Sequence, residues 1–111
     1  MTDHIETPDG RYFVAKGRLW RKSDPSLSKD KRQALVNDLM AARRAVAQAE
    51  TEVEEKAARQ RVDEAKRGLG ERGPVWWSDD SPDEMRTAPW NSSYAEWWDE
   101  LSEATKDKAR G

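Results

Sequence analysis

The sequence predicts a mainly α protein: a short N-terminal β-hairpin, an antiparallel helical hairpin, and an aromatic C-terminal segment with one short helix. Three observations carry this reading. Apolar residues between 28 and 69 recur at alternating steps of three and four, which places them on one face of an α-helix. Residues 11–21 gather aromatic and β-branched side chains around a single glycine, the composition of a short hairpin. Five of the six tryptophans (Trp76, Trp77, Trp90, Trp97 and Trp98) fall in the last third of the chain, where aliphatic residues are scarce.

In the first element, Tyr12-Phe13-Val14-Ala15 and Arg18-Leu19-Trp20-Arg21 flank Lys16-Gly17, and the glycine can take the positive φ that a tight turn needs. Alternation sets Tyr12 and Val14 against Phe13, and Arg18 and Trp20 against Leu19 and Arg21. Two strands alone are marginal in water, so the hairpin must rest on another element, and the helices are the expected support. Asp24-Pro25 then breaks the chain. Ser28 is placed to cap a helix over about 28–49, with Asp30 in its first turn. Its apolar series is Leu35, Leu39, Ala42, Val46, Ala49 and Val53; a second series, Ala58, Val62, Ala65 and Leu69, follows after a slip of register. Thr51-Glu52-Val53-Glu54 matches a capping box, which starts a second helix over about 52–67 after a tight turn near Glu50-Thr51. A single helix of about 40 residues, some 60 Å long at 1.5 Å per residue, is the alternative. No glycine or proline interrupts residues 28–67 to exclude it.

Gly68 and Gly70 end the second helix, after Lys66 and Arg67. Residues 1–77 are accordingly expected to form one small domain and residues 78–111 an acidic aromatic tail. Within the tail, Ser78 to Pro89 reads as a polar linker or ordered loop. Ser92 or Ser93 caps a short helix over about 93–104, and the charged chain from Ser102 onward is expected to fray.

The segments Gly17-Arg18-Leu19-Trp20-Arg21, Leu39-Met40-Ala41-Ala42-Arg43-Arg44-Ala45-Val46 and Leu69-Gly70-Glu71-Arg72-Gly73-Pro74-Val75-Trp76-Trp77 together resemble a family of small uncharacterised bacterial proteins. Some members carry a label linking them to Tol-type biopolymer transport. The resemblance spans roughly residues 10–77, and the chain departs from it in lacking a short Gly-Asp-type segment between the helices. It implies this helical architecture and no particular activity.

Composition narrows the functions. Leu, Ile, Val and Phe total only 14 of 111 residues, so the large rings must supply much of the core. The net charge of −2 hides an asymmetry: residues 1–69 carry 15 basic and 12 acidic side chains, residues 70–111 carry 5 and 10. There is no cysteine, so disulfides, thiolate metal sites and thiol nucleophiles are excluded. The lone histidine, His4, lies in a polar leader, and no run of about 20 apolar residues could span a bilayer. The acidic residues Asp3, Glu6 and Asp9 do not suit a signal peptide, so a cytoplasmic location is expected. The carboxylate pairs Glu54-Glu55, Asp63-Glu64 and Asp79-Asp80 come without a histidine, a phosphate loop or a calcium-loop spacing. A non-enzymatic protein without a cofactor or metal is the expectation.

Two sets of binding residues stand out. Tyr94, Trp97, Trp98 and Leu101 fall at i, i+3, i+4 and i+7, one apolar stripe of a helix whose neighbours Glu96, Asp99, Glu100 and Glu103 are acidic. With Trp76 and Trp77 they are the candidate protein-binding residues. The helix would either dock in a partner's groove or lock onto this chain. Self-association is a second expectation, with the Leu35, Leu39 and Val46 seam and Val62 and Leu69 forming a two-fold interface, since helical hairpins commonly pair into four-helix bundles. The alternative is a nucleic-acid-associated protein. Its contacts would be Arg18, Trp20, Arg21, Lys22, Arg43 and Arg44, combining cations with stacking rings. A membrane partner is not expected.

Overall fold

The computed structural model describes residues 4–111. About half the chain is helical. Contacts divide it into two compact units: the segment through Lys22 together with Trp77–Gly111, and Ser23–Trp76. The β-hairpin thus shares a unit with the C-terminal segment, and the helical hairpin forms the other.

In the first unit, β1 (Tyr12–Ala15) and β2 (Arg18–Arg21) pair antiparallel, with Tyr12 opposite Arg21 and Val14 opposite Leu19. Lys16 and Gly17 both take positive φ, 53° and 72°, the backbone of a two-residue turn matched to the strand twist. Backbone pairing continues on both edges. Val14 N–H donates to Ile5 O (2.9 Å) and Leu19 N–H to Thr87 O (2.9 Å), while Arg86 N–H donates to Leu19 O (2.7 Å). These bonds stabilise a hairpin that would be marginal alone. Tyr12, Val14 and Leu19 are buried in one cluster with Trp98 and Ala109. The hairpin's apolar face is thus covered by the C-terminal segment.

That segment differs from expectation. Instead of one helix over 93–104 there are two, α3 (Ala95–Asp99) and α4 (Glu103–Arg110), after a single 3-10 turn at Pro89–Asn91. Ser102 ends the continuity: its Oγ accepts from Thr105 N–H (3.2 Å), capping α4. Residues after Ser102 are therefore helical rather than frayed. Gly17 N–H donates to Ala109 O (2.9 Å), so the hairpin turn satisfies a carbonyl at the end of α4. The stretch before Pro89 is an ordered loop. Tyr12 Oη accepts from Glu84 N–H (2.9 Å), and the Glu84 carboxylate holds Ser93 N–H (2.8 Å) and Ser93 Oγ.

The second unit is the helical hairpin, α1 (Lys29–Gln48) and α2 (Glu52–Leu69). Ser28 caps α1 by accepting from Lys31 N–H (3.1 Å). Thr51 caps α2 by accepting from Glu54 N–H (3.1 Å), and Glu54 reaches back to Glu50 N–H (3.0 Å). This reciprocal pair breaks the chain into two helices where local periodicity alone would permit one. At the far end Gly70 takes φ 85°, and a Cβ there would lie 3.0 Å from both Asp24 Cβ and Trp76 Cδ1. Only glycine closes the helix at this point without strain.

Leu39, Ala42, Ala58, Ala65 and Leu69 form the buried seam between the helices. Alanines at three of these positions let the backbones approach closely. Of the residues expected at a two-fold interface, Leu39 (7% exposed) and Leu69 (1%) are already covered within the chain, while Leu35, Val46 and Val62 are half-buried. Val53 is 79% exposed and leaves the seam, because it begins α2 rather than extending α1.

Candidate functional site

The candidate binding residues of the C-terminal stripe lie in a packed cluster. Trp98 is 3% exposed; Tyr94, Trp97 and Leu101 are half-buried and pack against the same cluster. Tyr12 sits at its centre, edge-on to Trp77 (ring centroids 5.6 Å) and to Tyr94 (5.7 Å), the geometry that ring quadrupoles favour. Trp77 donates from Nε1 to Ser81 O (2.8 Å), and the Arg11 guanidinium lies 4.8 Å over its ring. Trp76 is half-buried in the helical unit, beside Gly70. The adjacent tryptophans therefore serve different units.

Polar groups fix this aromatic cluster. Tyr94 Oη donates to Asp9 Oδ2 (2.6 Å), and Thr7 Oγ1 donates to Asp9 Oδ1 (2.7 Å). Burial pushes the Tyr94 phenol well above its ordinary range, reinforced by the Asp9 carboxylate. Burial also acts to raise Asp9, but hydrogen bonds from Tyr94, Thr7 and Arg11 N–H, with the Arg11 charge, bring its carboxyl below the usual value. The Arg11 guanidinium, aided by Ser81, holds Asp79 lower still. Burial raises Tyr12 as well.

The pH dependence follows from these directions. Carboxylates with lowered pKa stabilise the fold above about pH 4, and that contribution is lost as they protonate in acid. Phenols with raised pKa stabilise it below about pH 10, and that contribution is lost as pH rises further. Thermal melts should show a plateau between about pH 5 and 9 with a fall on either side. Asp9→Asn should flatten the acid limb, and a wild-type melting temperature unchanged from neutral pH to pH 3 would contradict this network.

The candidate nucleic-acid residues do not form one face of the hairpin. Arg18 is exposed, with Nη1 donating to Arg86 O (2.8 Å), and Trp20 is half-buried, with Nε1 on Ala15 O (3.0 Å). Arg21 is buried on the opposite face, with Asp83 at 4.0 Å, and Lys22 Nζ holds both oxygens of Glu6. Arg43 and Arg44 are exposed on α1 in the helical unit.

A surface the sequence reading did not single out lies on the helical hairpin. Arg43 and Val46 of α1, Arg59 and Val62 of α2, and Arg72 line a groove of about 260 Å³. Arg59 holds Glu55 (2.9 Å), and Asp63 is shared by Arg72 (3.0 Å) and Arg67 (2.7 Å), so two carboxylates accompany the three arginines of the groove. Met40, three residues before Arg43 and hence on the same face of α1, is 51% exposed. A second groove, of about 280 Å³, is lined by Leu35, Asp38, Arg61, Glu64 and Ala65. The packing of α1 on α2 brings Arg43 and Arg59 to a common groove, and Arg72 joins them only through the turn after Gly70. That step has no periodic signal.

Among the described residues, no group of three or more His, Asp or Glu side chains could hold a metal ion, and no helix is long and apolar enough to cross a membrane. No protein-family model, curated protein or solved structure matches the chain.

Proposed function

We propose that this protein is a non-enzymatic interaction module in which the C-terminal Tyr/Trp/Leu segment is an internal lock and the helical hairpin presents the partner-binding surface. The observation that carries this reading is the burial of Trp98 among Tyr12, Val14, Leu19 and Ala109. A ring committed to the core is not available to anchor in a partner's groove. Large apolar side chains do remain exposed on the hairpin, at Met40 and Val53. Methionine adapts its shape readily and suits a surface that receives another chain.

A photo-cross-linking residue separates the two roles of the aromatic stripe. Introduced at Met40, it should give a discrete adduct in cells, identified by mass spectrometry and reproduced with purified components. Introduced at Trp97 or Leu101, it should give none. Adducts arising from Trp97 or Leu101 and not from Met40 would reverse the assignment.

A further inference from the structure

The basic groove of the helical hairpin is lined by half-buried Val46 and Val62 together with Arg43, Arg59 and Arg72. Two antiparallel helices bury one seam and leave the furrow beside it open. A third helix laid in such a furrow adds its own apolar ridge to the groove, as in bundle packing. Val36, Met40 and Arg43 follow one another at i, i+4 and i+7 on α1, so the apolar lane continues past the groove. Val36 is half-buried against Leu39, Ala65 and Leu69, which gives the lane a firm base.

From this we propose that the groove accepts an acidic amphipathic helix, whose apolar stripe packs on Met40, Val46 and Val62 and whose flanking carboxylates meet Arg43, Arg59 and Arg72. This deepens the interaction-module reading and rests on it. Charge selects the occupant. The groove's three guanidinium groups are accompanied by two carboxylates; the Arg59–Glu55 pair is solvent-exposed and the Arg72–Asp63 pair half-buried, so incoming carboxylates can compete most readily for Arg59 and Arg43. Arginine is suited to this role, because its planar fork takes a carboxylate through two parallel hydrogen bonds. A second copy docked face to face would set this net-positive patch against itself, since a two-fold interface pairs each patch with its own equivalent. That repulsion disfavours the symmetric dimer on this face.

The test uses the full chain and a synthetic helix of about three heptads, with leucine at the core positions and glutamate on the flanks. A control peptide carries lysine in place of glutamate. Calorimetry should show saturable binding of the acidic peptide only, weakening with added salt. Arg43→Glu should weaken it about tenfold or more, and Val62→Asp should abolish it, with circular dichroism confirming that both variants remain folded. Equal binding of both peptides, or no effect of Arg43→Glu, would overturn the proposal. Absence of peptide binding alongside a specific Met40 adduct would overturn this choice of partner and leave the interaction-module reading standing. Loss of both would end both. Sedimentation of the chain alone covers the remaining occupant. Species heavier than 12.7 kDa that dissolve on Arg43→Glu would assign the groove to a second copy and overturn the proposal.

Discussion

Replacing Trp98 by alanine is expected to cost about 3–5 kcal/mol of folding stability, the usual range for deleting a buried aromatic ring. Trp98 is 3% exposed and joins the hairpin residues Tyr12, Val14 and Leu19 to Ala109 of α4. It also lies 5.4 Å from Trp90, ring to ring, with Arg110 over its face at 6.0 Å. Removing the indole would open a cavity where strand, loop and two short helices converge. Small domains have only about 5–15 kcal/mol to lose, so the variant should melt far below the wild type. Trp97→Ala should do less harm, because Trp97 is half-buried at the edge of the cluster. Chemical denaturation followed by near-ultraviolet circular dichroism is the measurement. A Trp98→Ala protein within about 0.5 kcal/mol of wild type would show that the indole is not part of the core.

The second large effect is expected at Leu69. It is 1% exposed, clusters with Leu39 and Ala65, and is packed against by Leu27, Leu35, Val36 and Val62. Leu69→Ala should destabilise by about 2–5 kcal/mol. Its carbonyl also accepts from Asp24 N–H (2.8 Å), so the cavity would form where the end of α2 is tied to the entry of α1. Val53→Ala is the matched control. Each position closes one of the two apolar series in the sequence, yet Val53 is 79% exposed and its loss should change stability by less than about 0.5 kcal/mol. Urea melts monitored at the helical ellipticity compare the two directly. Equal effects would mean that Val53 is buried and that the turn at Glu50-Thr51 does not break the helix.

That contrast shows what periodicity can and cannot carry. The caps at Ser28 and Thr51, the strand alternation and the Gly70 stop are local features, each decided by a few neighbouring residues, and each is legible in the chain. What covers a face is decided by residues far away. The hairpin's buried side needs Trp98 and Ala109, more than 75 positions downstream, and no spacing rule links them. α4 illustrates the same point. Ala104 and Ala109 give almost no apolar stripe, so the sequence suggests fraying, whereas the helix draws on its Ser102 cap, the burial of Ala109 and the bond from Gly17. The stripe Tyr94, Trp97, Trp98 and Leu101 was legible as apolar and adhesive, but not whether it would face inward. The groove escaped the sequence reading because its arginines look like ordinary solvated positions until Arg59 and Arg72 are seen beside Val46 and Val62.

The division of labour between lock and groove is the central claim, and a nuclear magnetic resonance map of the peptide titration tests it most directly. With the acidic helical peptide added to the full chain, shifts should concentrate at Met40, Arg43, Val46, Arg59, Val62 and Arg72. The indole signals of Trp97 and Trp98 should stay in place. Shifts or broadening centred on those indoles, with the groove unchanged, would contradict the account and make the aromatic helix the docking element.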